Sequence, residues 1–66
     1  MYIVESMNVN ESRWQRWTIK YDRLEKAIAA VTDNVQRAEG VLKYRYKVSE
    51  LNGKTKTVMW VLEPRN

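Results

Sequence analysis

Asp22-Arg23-Leu24-Glu25-Lys26-Ala27-Ile28-Ala29-Ala30-Val31 opens the stretch on which the fold turns, because helical periodicity appears nowhere else in the chain. Leu24, Ala27, Ile28, Val31, Val35 and Ala38 recur at steps of three and four and form one apolar stripe, with Ile28 in its middle. Asp22 offers an acceptor side chain at the N-cap, and Glu25 follows three residues later, an aspartate version of the capping box. Asp22/Lys26 and Asp33/Arg37 stand at i,i+4 with the acid first, an arrangement worth a few tenths of a kcal/mol per pair. Gly40 can take the left-handed conformation that ends a helix. Thr32-Asp33-Asn34 are three poor helix formers in a row, and fraying is expected there.

Both flanks of this helix read as β-structure. Residues 1–7, with Tyr2, Ile3 and Val4, give a first strand, and the polar cluster Asn8-Val9-Asn10-Glu11-Ser12 interrupts it. Trp14 to Tyr21 carries Trp, Thr, Ile and Tyr and reads as a second strand, hairpin-paired with the first. From Val41 the period changes to two: Leu42, Tyr44, Tyr46 and Val48 alternate with Lys43, Arg45 and Lys47. Asn52-Gly53 supplies a hairpin turn, Thr55 to Leu62 returns as a strand, and Pro64 stops it. The predicted order is β-β-α-β-β. This is an α+β fold with one amphipathic helix on one face of a small antiparallel sheet, and the other face is left to solvent or a partner.

Composition sets the limits of function. Sixty-six residues, 44% hydrophobic and 30% charged, make one globular domain spanning 1–66. The chain has no cysteine and no histidine, which removes disulfides, thiolate nucleophiles, histidine bases and the common zinc sites. Two glycines cannot build a phosphate-cradling loop, and no spacing proposes a catalytic carboxylate pair. No enzyme, cofactor or metal is therefore expected. The longest apolar runs, Ala27–Val31 and Val58–Leu62, are five residues each, against about twenty for a membrane span. Met1-Tyr2-Ile3-Val4-Glu5 lacks the basic start of a signal peptide, so a cytoplasmic protein is expected.

Two constellations point to a binding surface. Twelve Lys and Arg against eight Asp and Glu give a net charge of +4 and a pI near 9.6, which favours an acidic partner. Arg13-Trp14-Gln15-Arg16-Trp17 interleaves guanidinium groups with indoles, and in a strand Trp14 and Trp17 point to opposite faces. One reading exposes a tryptophan flanked by arginines as an anchor or stacking surface. The other buries Trp17 and Ile19 under the helix and lays Trp14 over its own hairpin loop. Lys43, Arg45 and Lys47 share one face of the third strand, suited to a partner or simply to solvation.

Trp60 joins that basic face only in one hairpin register. A two-residue Asn52-Gly53 turn sets it opposite Arg45, whereas a three-residue turn with a bulge sets it beside Tyr44, with Tyr44, Tyr46, Val58, Trp60 and Leu62 on one face. Arg13, Trp14, Arg16, Lys43, Arg45, Lys47 and Trp60 are the candidate partner-binding residues. Tyr44 and Tyr46 lack the surrounding glycines of an RNA-recognition motif and suit a core or a subunit interface.

The short first strand, the Trp-rich second one, the helix opening at Tyr21-Asp22-Arg23-Leu24 and the basic hairpin ending in Trp60 resemble the small accessory proteins encoded by bacteriophages. That resemblance implies a non-enzymatic protein, acting in the host cytoplasm, that binds and inhibits or redirects a host complex: a polymerase, a nuclease or a defence assembly such as a CRISPR effector. It transfers no site residues. The basic charge sets this chain apart from acidic DNA mimics. The alternative expectation is a small nucleic-acid-binding protein acting through phosphate contacts, and a homodimer that buries Tyr44 and Tyr46 or the aromatic hairpin is a third.

Overall fold

A computed structural model describes residues 1–37 and 43–64. Four strands and one helix follow in the order expected: β1 (Tyr2–Asn8), β2 (Gln15–Tyr21), α1 (Leu24–Arg37), β3 (Tyr44–Asn52) and β4 (Thr55–Leu62). The strands form one antiparallel sheet in the order β2-β1-β3-β4, and α1 contacts it through β1, β2 and β3. The expected contributions of Ala38, Gly40, Val41 and Leu42 lie outside the described residues. Among the described residues, no helix is long and apolar enough to cross a membrane.

The first strand lies inside the sheet, between β2 and β3, so both of its edges are hydrogen-bonded. Val4 on the helix side and Ile3 on the other are both fully buried. The core gathers Val4, Ala27, Val31, Tyr46 and Val48, with Trp17, Leu24, Ile28, Trp60 and Leu62 packed around it. Burying each of these valines contributes about 1.5–3 kcal/mol. Ala27 and Val31, rather than Ile28, are the helix residues wholly removed from water.

The helix starts one residue later than a cap at Asp22 would start it, because the Arg23 carbonyl accepts the Ala27 N–H as its first bond. The Asp22 carboxylate goes instead to Lys26 Nζ at 3.1 Å, and that hydrogen bond and charge lower its pKa. The helix runs unbroken through Thr32-Asp33-Asn34, the expected site of fraying, and each of the three side chains finds a partner. Thr32 Oγ1 donates to the Ile28 carbonyl at 2.9 Å, Asp33 pairs with Arg37 at 3.1 Å, and Asn34 Nδ2 donates to the Tyr46 hydroxyl at 3.2 Å.

The β3–β4 hairpin adopts neither of the two registers read from the sequence. Asn52 pairs with Thr55, so the loop is Gly53-Lys54, with Gly53 at φ +62° in its first position as mirror-image turns require. The register then shifts by one between Val48 and Ser49, leaving Met59 as the extra residue and setting Trp60 opposite Val48. Tyr46, Val48, Trp60 and Leu62 thus share the helix side, as the bulged alternative expected. Val58 instead lies opposite Ser49, on the other face, and is half exposed.

Candidate anion-binding face

The face turned away from α1 is set by alternation along β1 and β3, with Ile3, Glu5 and Met7 on one strand and Arg45, Lys47 and Ser49 on the other. Glu5 stands directly between Arg16 of β2 and Lys47 of β3, Ile3 is flanked by Lys20 and Ser49, and Met7 faces Arg45. On β4, Lys56 lies opposite Leu51 and reaches Glu5 in an ion pair. Five cations (Arg16, Lys20, Arg45, Lys47 and Lys56) therefore share a face with one strand carboxylate.

Glu5 anchors this arrangement. Its side chain is only 10% exposed, and its contact with Lys56 is ionic rather than a well-aligned hydrogen bond. A carboxylate so far removed from water needs compensating charge; Lys56 supplies it by direct contact, and Arg16 and Lys47 stand opposite Glu5 on the two neighbouring strands. Of the five cations, Lys56 alone pairs with a carboxylate among the described residues. Trp14 caps the cluster: the Lys47 ammonium lies 4.2 Å from the centre of its ring, within cation–π range.

The helix side is electrically different. All six charged residues from Asp22 to Arg37 are paired: Arg23 with Glu25 at 3.6 Å, Lys26 with Asp22 and Arg37 with Asp33 at 3.1 Å each. Such exposed pairs add little stability, but they leave that segment neutral. The excess positive charge of the chain is therefore carried by the strands and loops. On the helix side of β1 and β3, the Tyr2 hydroxyl donates to Glu50 Oε2 at 3.0 Å, and this hydrogen bond raises the phenol pKa above its usual value.

The seven candidate residues divide between three places. Trp14, Arg16, Arg45 and Lys47 come together on the open face. Arg13 and Lys43 are exposed beside it, in the loop before β2 and at the entry to β3, where the Lys43 carbonyl accepts the Val9 N–H at 3.1 Å. Trp60 does not join them: the bulge turns its indole to the helix side, half-buried against the core. The opposed parity of Trp14 and Trp17 holds, because Trp17 Nε1 donates to Ser6 Oγ at 3.2 Å and its ring meets Tyr46 edge-on at 6.2 Å.

Ile19, expected under the helix with Trp17, is 59% exposed. The β1–β2 register breaks between Ile3 and Glu5, so that Trp17, Thr18 and Ile19 stand against the single residue Val4 and Ile19 is turned out. Of the two tyrosines named for a dimer interface, Tyr46 is buried in the chain's own core at 4% exposure, whereas Tyr44 is 41% exposed. Sequence reading missed Lys20, Lys56 and Glu5. Their places depend on these register shifts and on β1 being central, and only the alternation of lysine and threonine from Lys54 to Thr57 hinted at a two-sided strand.

Among the described residues no group of three or more acidic side chains could hold a metal ion. No family model matches the chain, and neither a curated protein nor a solved structure matches it.

Proposed function

We propose that this is a non-enzymatic binding protein that engages nucleic acid through the sheet face opposite its helix, by contacts to phosphate. The observation that carries this reading is the segregation of charge: five cations from three strands against one strand carboxylate, beside a fully paired and neutral helix. Rows of Lys and Arg on a firm sheet neutralise phosphates and release counterions, which supplies affinity without any base-specific contact. Trp14, held at the margin of the face, adds an aromatic surface of the kind on which an unpaired base stacks. In the setting suggested by the resemblance to phage accessory proteins, the target is the nucleic acid of a host polymerase, nuclease or defence complex.

The test is binding of labelled single-stranded and duplex oligonucleotides across a salt series, with wild type and with Arg16→Gln/Arg45→Gln/Lys47→Gln. Glutamine is preferred to glutamate because Arg16 and Lys47 flank Glu5. Affinity should fall with salt by a log–log slope of about −0.9 per duplex phosphate contacted, and the triple variant should flatten that slope by roughly 2–3 units. Absence of binding to either oligonucleotide at low salt defeats the reading. Capture of an acidic host protein that survives nuclease treatment would then identify the face as a protein-binding one.

A further inference from the structure

The two edges of the sheet are protected very differently. On one edge, β2 carries Arg16 and Lys20, and its register breaks against β1. On the other, β4 bulges once against β3, at Met59, but has one charged side chain in eight residues, Lys56, and exposes Val58, Met59 and Val61 at 50, 44 and 50%. Charges blunt an edge, whereas a strand with few charges and exposed valines is a template for another strand.

We propose that β4 pairs antiparallel with β4 of a second copy, about a two-fold axis normal to the sheet between Met59 and Trp60. Such an axis keeps the two faces distinct, so side chains must meet partners from their own side. Val58 and Val61 stand on the open face, Thr57, Trp60 and Leu62 on the helix face, and Met59 is the bulge residue between them. Setting the bulge residue aside, two registers span the strand with faces matched. One places Val58 opposite Val61 of the second copy, Thr57 opposite Leu62 and, one step past the strand end, Lys56 opposite Glu63. The other places Lys56 opposite Val61, Thr57 opposite Trp60 and Val58 against Met59. The first joins apolar to apolar and base to acid, and the strand is complementary to itself in that register. The pairing joins the open faces of two copies into one surface across eight strands, with both helices on the opposite side. It does not rest on the nucleic-acid reading.

Sedimentation equilibrium over a concentration series tests this, with Val58→Lys, Val61→Glu and their equimolar mixture. Both positions are half exposed, and Val61 lies opposite Lys47 within its own chain, so both variants keep the fold. The edge is short compared with a standard interface, and reversible dimerisation in the high micromolar range is expected of wild type. Each variant alone should associate roughly tenfold more weakly or worse. The mixture should recover, because the introduced base meets the introduced acid across the axis while the remaining valines still face each other. Wild type that stays monomeric into the millimolar range, single variants that associate like wild type, or a mixture no stronger than its components would each overturn the proposal.

Discussion

Val31 and Ile28 lie three residues apart on the same helix stripe, yet they hold different shares of the stability. Val31 is fully buried with Val4, Tyr46 and Val48, whereas Ile28 keeps part of its surface in water. An aspartate at Val31 would bury a carboxylate with no partner, at a cost of several kcal/mol. A domain of this size holds about 3–5 kcal/mol in all. Val31→Asp is therefore expected to be unfolded by circular dichroism at room temperature, while Ile28→Asp stays folded with a lowered melting temperature. Cooperative melting of Val31→Asp near the wild-type temperature would show that the helix does not seal the sheet. The stripe itself was legible from spacing alone. Which member sits at its centre depends on the angle at which the helix meets the strands, and spacing carries no record of that.

Gly53 decides the geometry of the C-terminal hairpin. It holds φ +62° at the first turn position, and a Cβ added there would meet nothing within 4 Å. Gly53→Ala should thus cost about 1 kcal/mol through backbone strain alone, and Gly53→Asn less, because asparagine tolerates the left-handed region. Chemical denaturation of the two variants measures this, and an alanine variant as stable as wild type would contradict the turn. The presence of this hairpin was plain from Asn52-Gly53 between two alternating segments, but its register was not. A two-residue Gly53-Lys54 loop and a bulge at Met59 together set Trp60 opposite Val48. Side-chain packing selects that combination, because it brings Trp60 and Leu62 to the helix side and leaves Val58 and Lys56 on the other. The alternation of Arg45 and Lys47 against Tyr46 and Val48 needed no such knowledge, since parity within one strand is independent of its neighbours.

Across the whole molecule, the helix covers one side of the sheet and neutralises its own charges, and the strands gather cations on the other. Element order and the existence of a basic side follow from local pattern. The membership of that side follows from topology, because Arg16 and Lys47 flank Glu5, and Lys56 reaches it, only when the N-terminal strand is placed between β2 and β3. The most direct measurement of the central claim is amide chemical-shift mapping of the labelled protein as an oligonucleotide is titrated in at low salt. Perturbations should concentrate at Ile3, Glu5, Arg16, Arg45, Lys47, Ser49 and Lys56, with Leu24–Arg37 unmoved and the shifts reversed by added salt. Perturbations centred on the helix, or a spectrum unchanged at saturating oligonucleotide, would contradict the account.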